Sequence, residues 1–136
     1  MMQDRLNHMK PFLLLGTTLI TCMFLATRQA EAASEDSRVV RLAELTIDPM
    51  QLEAYRTALK EEIEASIRVE PGVLTLNAVA VKGHPEQIRI FETYRDQAAY
   101  EAHLQTAHFK KYKAATQGMV KSLKLVETEP ILLGAK

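Results

Sequence analysis

The chain has 136 residues, 47% of them hydrophobic and 25% charged, which suits one globular domain and excludes disordered and fibrous classes. Its 17 Lys and Arg cancel its 17 Asp and Glu. That balance excludes a general nucleic-acid binder.

Residues 1–32 read as a secretory signal peptide. Arg5, His8 and Lys10 make a basic start, residues 12–26 (FLLLGTTLITCMFLA) form a short apolar run, and Ala30-Glu31-Ala32 fits the small-x-small cleavage pattern. The run has signal-peptide length and is short for a membrane span; an uncleaved anchor is the rival reading. Cleavage predicts a periplasmic or secreted protein with no further membrane segment. Cys22 is the sole cysteine and lies inside the run, without the small preceding residue of a lipidation site. A mature chain lacking it can form no disulfide, thiol nucleophile or cysteine-ligated zinc site.

Residues 33–37 (ASEDS) are a polar lead-in, and residues 38–136 make the domain. Residues 38–47 (RVVRLAELTI) are β-branched and aliphatic enough for a first strand. Asp48-Pro49 ends it and opens a helix, with Gln51 completing a capping box. Leu52, Tyr55, Leu59, Ile63 and Ile67 recur at steps of three and four, giving an apolar stripe. Lys60, Glu61, Glu62 and Glu64 fall mostly on the wet side. Pro71-Gly72 stops the helix. Residues 73–81 (VLTLNAVAV) form a second strand, residues 82–85 a turn, and residues 87–94 (QIRIFETY) a third strand. Start signals at Asp96 and Thr106 predict a pair of helices ending near Gly118. Residues 121–128 (KSLKLVET) form a fourth strand, and residues 131–133 an apolar tail.

This order is the split β-α-β-β-α-β arrangement, an α+β, ferredoxin-like fold with a four-stranded antiparallel sheet. Helices cover one face of such a sheet, yet the second strand is apolar on both parities. A solvated face should alternate. The sequence therefore predicts a homodimer in which two sheets cover each other, closing an α/β barrel.

The chemistry-bearing residues concentrate in residues 92–112, ETYRDQAAYEAHLQTAHFKKY. His103 falls on the inward stripe with Tyr100, Leu104 and Ala107, where an imidazole can move protons near neutral pH or serve as a satisfied core residue. Glu92 shares a strand face with Ile88, Ile90 and Tyr94; it could orient His103, act as a base, or pair with an arginine or lysine. Asn77 interrupts an apolar run and could offer a hydrogen bond to a pocket, or mark a bulge. Tyr94, Phe109 and Tyr112 are core residues or pocket walls. Lys110, Lys111 and Lys113 are a solvated face or a lure for anions. His103 and His108 would point about 140° apart on a continuous helix, so no metal pair is assigned. No phosphate loop or nucleophile elbow is present.

The block E-x-Y…H-L-Q-T-x-H within residues 92–112, preceded by Glu70-Pro71-Gly72-Val73, resembles the antibiotic-biosynthesis monooxygenase family, and its quinol monooxygenase branch above all. The resemblance spans residues 38 to about 129. It implies sheet-to-sheet dimers and oxygenation of small quinols, polyphenols or anthrones by dioxygen, with neither metal nor flavin. It also implies a pocket between sheet and helices, with His103 as acid–base residue. The expected assignment is then His103 as base, Glu92 as its orienting partner, Asn77 bonded to a substrate oxygen, and Tyr94, Phe109 and Tyr112 as walls. Haem-degrading relatives use a first-strand asparagine, a tryptophan and a haem-ligating histidine. Here the first strand has no asparagine, the chain has no tryptophan, and residues 109–113 (FKKYK) offer no such histidine. An isomerase branch acting on sugar phosphates shares the glutamate and histidine pattern, and a hydrophobic-ligand-binding module without turnover is the third class.

Overall fold

The computed structural model describes residues 37–134; the leader assigned to residues 1–32 lies outside them. Strand β1 (Val39–Ile47) runs into a short 3-10 turn (Pro49–Gln51) and helix α1 (Leu52–Val69). Strands β2 (Val73–Val81) and β3 (His84–Tyr94) form a hairpin. Its turn holds Gly83 at φ 83°, a left-handed conformation that glycine adopts without strain. Helices α2 (Gln97–Gln105) and α3 (Ala107–Thr116) come next, then β4 (Val120–Thr128). The sheet order is β2-β3-β1-β4 and every pairing is antiparallel, as the split arrangement requires.

The helix starts have the chemistry their sequences announce. Asp48 accepts from Met50 N–H and so caps the 3-10 turn. The expected capping box with Gln51 does not form, because the Gln51 N–H bonds to the Asp48 carbonyl instead. Asp96 caps α2 through Ala99 N–H, and Thr106 caps α3 through Phe109 N–H. Thr106 also sits at φ −64° and ψ 152°, which breaks the helical run and turns α3 away from α2.

The core lies between the sheet and the helices. Ala43, Leu45 and Ile47 of β1, with Ile88 and Ile90 of β3, pack against Tyr55 and Leu59 of α1. On α1 the buried positions are Tyr55, Leu59, Glu62 and Ser66. The expected stripe is thus corrected at its second half: Ile67 is half exposed, and Glu62, assigned to the wet side, is buried. Among the described residues, no helix covers the other face of the sheet. Val79 and Phe91 stand on it, 60% and 41% exposed. Leu123 and Leu125 of β4 pair with Leu45 and Ala43, on the helix side but beyond the reach of the helices. Ile131 and Leu132 in the tail are exposed.

Candidate functional site

His103 stands at the inner end of a cavity of about 140 Å³ between the sheet and α2–α3. Tyr100, Phe109 and Tyr112 wall it, Arg41 and Glu92 enter from β1 and β3, and Leu123 and Leu125 line its open side. The imidazole is nearly fully buried, with its ring centroid 4.7 Å from Phe109 and 5.4 Å from Tyr94.

The loop after α1 positions this histidine. Gly72 passes so close to α2 that a Cβ there would stand 2.5 Å from Ala99 Cβ, so glycine is required for the approach. One helical turn beyond Ala99 is His103. The Glu70 carboxylate, at the C-terminal end of α1, meets its Nδ1 at 3.0 Å. The same oxygen, Oε1, lies 2.6 Å from His108 Nε2. The break at Thr106 is what lets two histidines that would diverge on one helix converge on one carboxylate. Burial pushes the Glu70 carboxyl up, but the bonds to His103 and His108 outweigh it and hold the group below its ordinary value. An ionised Glu70 accepts a hydrogen bond from each ring N–H, which fixes the Nδ1–H tautomer of His103 and leaves its Nε2 with a lone pair. The nearest carboxylate oxygen to that nitrogen, Glu62 Oε1, is 3.7 Å away and beyond hydrogen-bond reach. Glu62 accepts instead from the Ser66 hydroxyl at 2.8 Å, and burial pushes its carboxyl up.

Glu62, His103 and His108 bring donor atoms within 4.8 Å of one another, a spacing that a divalent ion could also use. Glu70 is not part of that set; its contacts of 3.0 and 2.6 Å to His103 and His108 are hydrogen bonds, and a carboxylate on Nδ1 suits His103 Nε2 as a base or as a ligand.

Two expected roles change. Glu92 does not orient His103; it accepts the Tyr94 hydroxyl at 2.8 Å, and Glu70 holds the histidine. Burial pushes the Glu92 carboxyl up, and the tyrosine bond only partly offsets it. Asn77 lies away from the cavity. It pairs in register with Phe91 on the helix-free face, at the edge strand, and its side chain is exposed. The cause is a bulge between Val73 and Thr75: Val73 packs in the core, and the extra residue sends Thr75, Asn77 and Val79 to the opposite face. Phe109 and Tyr112 do line the cavity, whereas Tyr94 is fully buried behind His103. Burial raises the Tyr94 and Tyr112 phenols far above their ordinary value, with Glu92 and Tyr55 adding to it. Both therefore stay neutral, Tyr112 as a cavity wall and Tyr94 as a buried residue behind His103, and neither is a base.

Sequence reasoning did not assign Glu62, Glu70 or Arg41 to the site. Glu70 gave a signal, a carboxylate ahead of a Pro-Gly stop, but nothing local shows what it reaches.

These features define a ferredoxin-like domain with a small aromatic cavity and a carboxylate-anchored histidine. The chain belongs to the antibiotic biosynthesis monooxygenase family, whose model matches residues 38–115. A crystal structure of a candidate antibiotic biosynthesis monooxygenase from Bacteroides thetaiotaomicron is 50% identical, with a TM-score of 0.73 over 76% of this chain and 98% of that one. A candidate monooxygenase from Lactobacillus acidophilus is 30% identical, with a TM-score of 0.65 over 68% of this chain and 44% of its own. A family protein from Nitrosomonas europaea shares the fold at 21% identity, with a TM-score of 0.67 over 72% of this chain and 94% of that one. No functionally curated protein matches the chain.

Proposed function

We propose that this protein is an exported, homodimeric monooxygenase that oxidises a small quinol or polyphenol with dioxygen and without metal or flavin. The observation that carries the reading is His103, buried at the end of an aromatic cavity with Nδ1 tied to Glu70 and Nε2 left as the base. Such a base takes a phenolic proton, and the resulting anion can pass an electron to dioxygen. Recombination at a ring carbon and loss of water then give the hydroxylated quinone, with one oxygen atom in the product and the other in water. The buried setting keeps bulk water from the anion while it reacts. Oxygen uptake on a series of single-ring quinols tests this reading.

A ligand-binding module without turnover has one observation in its favour. Glu70 satisfies His103 and His108 together, so the cluster also makes sense as a purely structural network. The sugar-phosphate isomerase reading has Arg41 and Lys113 at the cavity in its favour, but most of the remaining walls are aromatic and aliphatic and suit a ring better than a sugar.

The dimer rests on the helix-free face, where Val79 and Phe91 are exposed. A specific interface buries on the order of 800 Å² per partner. Phe91→Asp is expected to convert the dimer to monomer, or to aggregate, in light scattering at micromolar concentration. A wild-type monomer in that measurement contradicts the dimer, and an unchanged dimer in the variant places the interface elsewhere.

A further inference from the structure

Among the described residues, Arg41 is the one cation that reaches the cavity from the sheet. Its guanidinium carbon lies 4.1 Å from the centroid of the Tyr100 ring, and its Nη1 meets Glu127 Oε1 at 3.2 Å. Only 16% of the Arg41 side chain is exposed, against 83% for Glu127, so its counter-ion sits in water while the arginine does not. Arg41 Nε is also the one buried side-chain polar atom among the described residues without a hydrogen-bond partner. A buried guanidinium N–H without an acceptor is costly, and an anion that meets it forms a short, charge-assisted bond.

The carboxylate that lines the cavity does not fill that role. Glu92 faces Arg41 across the β1–β3 pairing, but it accepts the Tyr94 hydroxyl, and burial pushes its carboxyl up toward the neutral form. Lys113 also lines the cavity, so the two cations there, Arg41 and Lys113, favour a negative guest. Size narrows the guest further. A cavity of roughly 150 Å³ with apolar walls takes up benzene, and this one is about 140 Å³. The walls offer ring faces and edges at Tyr100, Phe109 and Tyr112.

We propose that Arg41 receives the ionised oxygen of a single-ring phenol: the arginine selects phenolates over neutral aromatics, and the size of the cavity selects one ring over several. This rests on the quinol reading above and names its substrate class: His103 Nε2 accepts the phenolic proton, and the charge left on oxygen is met by the Arg41 N–H.

Equilibrium binding tests it without turnover. The probes are para-nitrophenolate, its neutral counterpart para-nitrotoluene, and a two-ring nitronaphtholate, all at one mildly alkaline pH. The purified protein is expected to bind para-nitrophenolate at least tenfold more tightly than either of the others. Arg41→Gln should lose that preference for the anion and keep its affinity for para-nitrotoluene, and Arg41→Lys should recover part of it. Glu127→Gln changes only an exposed residue and so guards against a misfolded Arg41 variant. It removes the competing carboxylate and should raise phenolate affinity severalfold. A full phenolate preference in folded Arg41→Gln, or an unchanged affinity in Glu127→Gln, overturns the role of Arg41 and leaves the quinol reading standing. Equal binding of the nitronaphtholate overturns the single-ring limit. No binding of any probe by the wild type removes the cavity reading itself, and this inference with it.

Discussion

His103→Ala is expected to lower quinol oxidation by roughly 10²–10⁴-fold, the range for losing a general base. The motivation is geometric. His103 lines the cavity with Nδ1 donating to Glu70 at 3.0 Å, which leaves the lone pair on Nε2. Tyr94 and Tyr112 are held neutral by burial, and Glu92 is already engaged by Tyr94. Alanine suits the interior of α2, so secondary structure should persist, although a cavity opens beside Phe109 and Tyr94 and some thermal stability is lost. A core-histidine reading predicts another pattern: a lower melting temperature with turnover per folded molecule unchanged. Circular dichroism melting and initial rates on the one variant separate the two.

Glu70→Gln is expected to have the second-largest effect. An amide is isosteric with the carboxylate but can donate to Nδ1 as well as accept from it. Donation puts the ring proton on Nε2, which removes the base, and no anion remains to stabilise the imidazolium. The rate should fall by ~10²-fold or more, by analogy with a carboxylate-to-amide change behind a catalytic histidine. Stability should fall by about 1–3 kcal/mol for the loss of two charge-assisted bonds. The sign of its pH dependence comes from Glu70 being held below its ordinary value in the fold. Such a group adds stability that is present above its unfolded titration and is lost as pH falls through the folded one. The gap between wild type and variant should therefore be full at neutral pH and close in acid. Chemical denaturation across that range measures it. A gap that widens in acid would contradict the assignment.

The order of elements was legible because each boundary carries local chemistry. Pro71-Gly72 cannot continue α1, Gly83 suits the hairpin turn, and Asp96 and Thr106 cap α2 and α3. The site was less legible, for three physical reasons. After Leu59, steps of three and four lead equally well to Glu62 and Ser66 or to Ile63 and Ile67. Hydropathy favours the second pair, but the Ser66–Glu62 hydrogen bond makes burial of the first pair tolerable. Asn77 drew attention as a polar break in an apolar run, and a single bulged residue early in β2 reverses parity for the rest of the strand and turns Asn77 to the helix-free face. Glu70 and His103 are 33 residues apart, and only the close packing of Gly72 on Ala99 brings them together. His103, Phe109 and Tyr112 were legible because they lie close together on two short helices, α2 and α3, whose capping residues and apolar spacing are local signals.

Oxygen uptake by the purified, chelator-treated protein on single-ring quinols tests the central claim most directly. The account predicts enzyme-dependent uptake of one dioxygen per quinol, no dependence on added metal or flavin, and loss of the uptake in His103→Ala. Uptake that never exceeds the uncatalysed rate, with a quinol shown to be bound, would contradict it and leave a ligand-binding module.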